Sequence, residues 1–102
     1  MQEAVDQLKN GIEQCRAKGE MFPMPHFDRK DVHVKEIKIT PLDSLLFRTK
    51  YKIDFDDGGW IQIDYSSKGN SRLLHTNKNS YAVKVTCSDP SLNFTEDWDE
   101  KG

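Results

Sequence analysis

The sequence predicts an α+β domain in which an N-terminal amphipathic helix packs on a mostly antiparallel sheet of about five strands, arranged as a meander or a small barrel. Three observations carry this. Apolar residues recur at spacings of three and four up to residue 18 and at every second position from residue 31 on. Clusters of Gly, Asn and Asp punctuate the alternating stretches at spacings that suit hairpins. The chain has 102 residues, room for a single modest core. The organisation expected is a domain over 1–88 and an acidic C-terminal tail over 89–102.

Over residues 3–18, Ala4, Val5, Leu8, Ile12 and Cys15 fall on one stripe, while Asp6, Lys9, Glu13, Arg16 and Lys18 point elsewhere. Gly19 is placed to end the helix in the left-handed conformation. Gly11 lies inside the helix at a cost of about 1 kcal/mol relative to Ala, which predicts close contact between helix and sheet there. In the next segment, Met21-Phe22-Pro23-Met24-Pro25-His26-Phe27, two prolines exclude both a helix and a central strand. The segment reads as an extended connector. Its large side chains either cover one edge of the core or form an adhesive strap with Phe22 and Met24 as partner contacts.

The first strand is expected over 32–40, with a bulge near Lys35-Glu36 where the apolar phase shifts between Val34 and Ile37. Thr40-Pro41-Leu42-Asp43 then has the pattern of a helix entry, with Thr40 as cap and Pro41 at the first helical position. Strand two, over 46–55, alternates Phe47, Thr49, Tyr51, Ile53 and Phe55 with Arg48, Lys50, Lys52 and Asp54. Strand three follows from Trp60 to Ser66. A three-residue loop at 56–58 is the one that matches faces. It sets Ile53 opposite Ile61, Tyr51 opposite Ile63, Thr49 opposite Tyr65, Lys52 opposite Gln62 and Lys50 opposite Asp64. A two-residue loop sets Asp54 against Ile61. The expectation is a type I turn with Gly58 left-handed and a G1 bulge. Turns at 67–70 and 77–79 frame a fourth strand over 71–76. A fifth, over 80–87, turns Tyr81, Val83, Val85 and Cys87 inward and Lys84 and Thr86 outward. Asp89-Pro90-Ser91 reads as the end of the sheet, with Phe94 and Trp98 packing on the body as one helical turn.

Charge is distributed unevenly. Residues 89–102 carry five acidic side chains against Lys101 alone, a net of -4, while residues 1–88 carry 14 basic and 12 acidic side chains, a net of +2. No apolar run is long enough to span a bilayer, and the N-terminus has no leader pattern, so the residues point to the cytoplasm with Cys15 and Cys87 as free thiols. No cofactor is called for. Asp54 to Gly59 begins like a calcium loop, but Gly58 and Tyr65 stand where the loop needs an oxygen ligand and a bidentate glutamate. His26, His33 and His75 have no metal spacing with one another or with the cysteines.

Three functional readings follow. The first is a non-enzymatic domain that binds another protein, such as an inhibitor or immunity-type factor of a microbial or phage system. Its contacts are Phe94, Glu96, Asp97, Trp98 and Asp99 of the tail with Phe22 and Met24 of the connector. Small inhibitor and immunity proteins, and Sm-like barrels, share this order of elements, an analogy of fold only. The second is single-stranded nucleic-acid binding by Arg48, Lys50, Lys52 and Lys84 with Trp60 as a stacking ring. The interleaved Asp54 and Asp64 and the small basic excess weigh against it. The third is a small nuclease-like enzyme using His75 as acid–base group.

Overall fold

The structure is a computed structural model that describes residues 1–21, 33–43, 47–68 and 79–100. One helix, α1 (Gln2–Lys18), packs against one five-stranded antiparallel sheet. The strands are β1 (Val34–Asp43), β2 (Phe47–Phe55), β3 (Trp60–Lys68), β4 (Ser80–Cys87) and β5 (Phe94–Asp99), in the order β1-β2-β3-β4-β5. It is a meander in which β1 and β5 are both edges, so the sheet does not close into a barrel.

Helix α1 buries the expected stripe of Ala4, Val5, Leu8 and Ile12, with Cys15 partly covered. It ends in a Schellman motif: Gly19 has φ 63°, its N–H bonds the Arg16 carbonyl, and the Glu20 N–H bonds the Cys15 carbonyl at 2.9 Å. The close approach predicted at Gly11 is not made by any of the described residues. A methyl group built there meets nothing within 4 Å, so this glycine weakens the helix without a packing return.

The hairpin between β2 and β3 has the register that face-matching requires, including Ile53 opposite Ile61, Tyr51 opposite Ile63 and Lys50 opposite Asp64. Gly58 has φ 88° and donates to the Phe55 carbonyl, while the Phe55 N–H bonds the Gly59 carbonyl at 2.9 Å. This is the predicted three-residue turn with a left-handed glycine. A register shift between Val34 and Glu36 places a bulge at Lys35, also as expected.

Three further expectations are corrected. Residues 40–43 do not enter a helix; β1 runs on through them, with Pro41 opposite Thr49. Because β1 is an edge strand, the missing Pro41 N–H faces away from the sheet and disrupts no ladder bond. The segment after 88 is neither a helical turn nor the end of the sheet. Asp89 caps a short 3₁₀ turn at Pro90–Leu92 by accepting from the Ser91 N–H at 3.1 Å, and the chain returns as β5, paired with β4 from Val85–Phe94 to Ser80–Asp99. Asn93 bridges the change of direction by accepting from the Cys87 N–H at 2.7 Å through its side chain. Moreover, β3 pairs directly with β4, so no strand intervenes between them; the segment predicted as a strand over 71–76 lies outside the described residues. The fifth strand of the sheet is therefore 94–99.

Phe94, Glu96 and Trp98 share one face of β5, and each meets the helix or the turn that ends it. The Lys9 ammonium lies 5.0 Å from the Phe94 ring centre, Arg16 pairs with Glu96 at 3.4 Å, and the Trp98 indole N–H donates to the Glu20 carbonyl at 2.7 Å. Trp98 is only 7% exposed and packs beside Tyr81, ring centres 5.7 Å apart. The inward residues of β2, β3 and β4 complete one continuous core. No helix among the described residues is long and apolar enough to cross a membrane.

If β5 belongs to the core, Trp98→Ala costs about 3–5 kcal/mol, as truncation of a buried aromatic does. Trp98→Phe, which keeps a ring but loses the bond to Glu20, costs about 1–3 kcal/mol. Both are read from urea midpoints. A midpoint unchanged by Trp98→Ala contradicts the docking of β5.

Candidate functional site

Helix α1 lies on one side of the sheet, so the opposite face has no described element over it. Antiparallel pairing brings the outward residues into rows across the strands. One row is Thr40, Lys50, Asp64, Lys84 and Thr95; the next is Arg48, Ser66, Ala82 and Asp97. The five residues expected to form a basic platform, Arg48, Lys50, Lys52, Trp60 and Lys84, are thus brought onto one face. They are interleaved there with Glu36, Asp54, Asp64 and Asp97.

The details differ from a nucleic-acid platform. Lys50 and Asp64 stand opposite each other, as the register predicts, yet among the described residues no ion pair within 4 Å joins them. The Asp64 carboxylate instead accepts from the Gln62 side-chain amide at 3.2 Å. The Lys52 ammonium lies 5.7 Å from the centre of the Trp60 ring, so this ring already has a cation over its π-face.

In the second row the large side chains stop. Ser66 and Ala82 form a low floor flanked by Arg48 on β2 and Asp97 on β5. These flanks are three strands apart, about 14 Å at ~4.8 Å per strand, too far to pair with each other. The result is a trough of about 520 Å³ reaching from Asp64 and Lys84 across that floor to Asp97, which continues past Ser80 toward Asp99. Both signs of charge face it, basic from Arg48 and Lys84, acidic from Asp64, Asp97 and Asp99. Nothing in the sequence announced this trough. Its floor needs the β3–β4 pairing and its acidic wall needs β5, and the expected order of strands had neither.

The remaining candidates are dispersed. Phe94 and Trp98 direct their rings into the core, so of the expected tail contacts Asp97 and Asp99 are the ones on the open face. Phe22, Met24, His26 and His75 lie outside the described residues. His33 is exposed, and its carbonyl accepts from the Asp56 N–H at 3.0 Å. Among the described residues no group of three or more His, Cys, Asp or Glu is placed to hold a metal ion. Cys15 and Cys87 are both free thiols. Burial pushes the Cys87 thiol above its ordinary value, with Asp89 adding to the effect and Lys9 opposing it; burial, then Glu20, does the same for Cys15 against Lys18. Neither thiol is set up as a nucleophile.

No protein-family model matches the chain, and a search of solved structures gives no match.

The thiols give a direct check. At pH 7.5 Cys87 in the folded protein reacts with iodoacetamide at least about tenfold more slowly than in urea, because it is buried and protonated. Its raised folded-state pKa also means that the stability it contributes is complete below the ordinary thiol range and declines as pH rises through it, a slope that Cys87→Ala reduces. Rapid alkylation of Cys87 in the native state contradicts this placement.

Proposed function

We propose that the chain is a non-enzymatic protein-binding domain whose working surface is the uncovered sheet face, centred on the trough between Arg48 and Asp97. The trough carries this reading. A surface with a small-residue floor and opposite charges on its two flanks suits a protein segment that brings both signs. Electrostatic complementarity then fixes the segment's orientation and speeds encounter. Nucleic acid fits less well, because Asp97 and Asp99 wall the same trough and repel a phosphate backbone, whose neutralisation supplies most of such affinity. A domain working in this way acts by occupancy, as inhibitors and immunity-type factors do.

Affinity capture with the intact chain from its host, compared with Arg48→Glu and Asp97→Lys variants, tests the proposal. The expected result is a protein retained at one-to-one stoichiometry and weakened about tenfold or more, ~1.4 kcal/mol, by each substitution. Circular dichroism should show both variants folded, because both side chains are exposed. Retention unaffected by either change, or recovery of oligonucleotide whose binding falls steeply with salt, overturns it.

A further inference from the structure

We infer that the open edge of β1 is a self-association surface, on which a second copy of this chain adds antiparallel with Ile37 at the two-fold axis.

The backbone shows which groups face that edge. The Phe55 N–H points toward β3, since it bonds Gly59, and the Asp56 N–H points toward β1, since it bonds His33. Alternation then turns Asp54, Lys52 and Lys50 toward β1, and their partners Glu36, Lys38 and Thr40 toward β2. Ile37, Ile39 and Pro41 therefore face away from the sheet. The absence of an N–H on Pro41 agrees independently. The open edge offers the N–H and C=O of Ile37 and Ile39, bracketed by the bulge at Lys35 and by Pro41.

The side chains point the same way. Among the described residues the large hydrophobics left exposed are Met21, Ile37 at 39% and Ile39 at 46%. The two isoleucines lie in the same rows as the buried Ile53 and Tyr51. They are core-facing residues at a sheet margin that α1 does not reach.

Charge selects the occupant and its register. On the outward face Glu36 and Lys38 flank Ile37, and within one strand their charged atoms are 4.0 Å apart. With Ile37 paired to itself across a two-fold, each Glu36 stands opposite the second copy's Lys38. These are non-hydrogen-bonded positions, where side chains approach most closely. The strand is its own complement. A shift that pairs Ile37 with Ile39 instead sets Lys38 against Lys38. The other margin cannot do this, because Asp97 and Asp99 line β5 and repel a second β5. Joining β1 to β5 head to tail would build an open filament rather than a closed pair.

Light scattering after size exclusion, across about a hundredfold range of concentration, tests the inference. The mass should rise from 11.8 kDa toward twice that value. E36K and K38E should each weaken the dimer about tenfold or more, since each sets like charges face to face. An equimolar mixture of the two variants should restore it, as should the double variant E36K/K38E, and near-ultraviolet circular dichroism should show every variant folded. A mass of 11.8 kDa throughout, a dimer indifferent to E36K, a mixture that stays monomeric, or growth beyond a dimer overturns the inference.

Discussion

Among the described residues one helix covers the apolar face of a five-stranded sheet, and much of the described structure follows from how incompletely it does so. A helix is about 10 Å across with its side chains, whereas five strands at ~4.8 Å span about 19 Å between the outer two. Helix α1 and the turn that ends it are held toward one margin by three contacts with β5: Lys9 over Phe94, Arg16 with Glu96, and the Trp98 indole on the Glu20 carbonyl. The last of these is set up by the Schellman turn at Gly19, which brings the Glu20 carbonyl to the indole. Glu96, a charged residue on the core side of a strand, is tolerated there because Arg16 meets it at the rim of the helix. Among the described residues no element covers the far margin, and Ile37 and Ile39 are exposed there.

The parts that could be read from the residues are those decided locally. The helix stripe repeats at helical spacing. The β2–β3 hairpin has only one loop length that matches its faces, and β4 alternates without interruption. Two misreadings came from patterns that fit more than one conformation. Thr40-Pro41-Leu42-Asp43 has the residues of a helix cap, but proline is equally at home on an edge strand, and edge position is a property of the whole sheet. Phe94 and Trp98 are four apart, which suits one turn of helix and also two steps along one strand face. Glu96 between them removed the alternation that would have favoured the strand. Placing 94–99 outside the sheet then left the acidic wall of the trough invisible, since Asp97 opposes Ala82 only through the β4–β5 register.

On the proposed reading the two sides of the sheet have different roles. The helix side holds the core, and the aromatics of the acidic segment pack into it. The open side carries mixed charge on all five strands, from Glu36 and Lys38 on β1 to Asp97 and Asp99 on β5, around a low floor. On the proposed reading the acidic segment still takes part in binding, but as one wall of a preformed surface, through Asp97 and Asp99, rather than as a flexible arm. A preformed surface loses less entropy on association than a segment that must order itself.

The central claim is that residues 94–99 are a strand of the core, and residue-resolved amide hydrogen exchange tests it most directly. The Cys87 N–H faces the β5 side of β4, where it bonds Asn93, and the Glu100 N–H bonds the Asn79 carbonyl at 2.8 Å. Alternation therefore turns the amides of Glu96 and Trp98 toward β4 and those of Thr95, Asp97 and Asp99 toward solvent. The account predicts slow exchange at Glu96, Trp98 and Glu100, with fast exchange at Thr95, Asp97 and Asp99 between them. Uniformly fast exchange from 94 to 100 would contradict it.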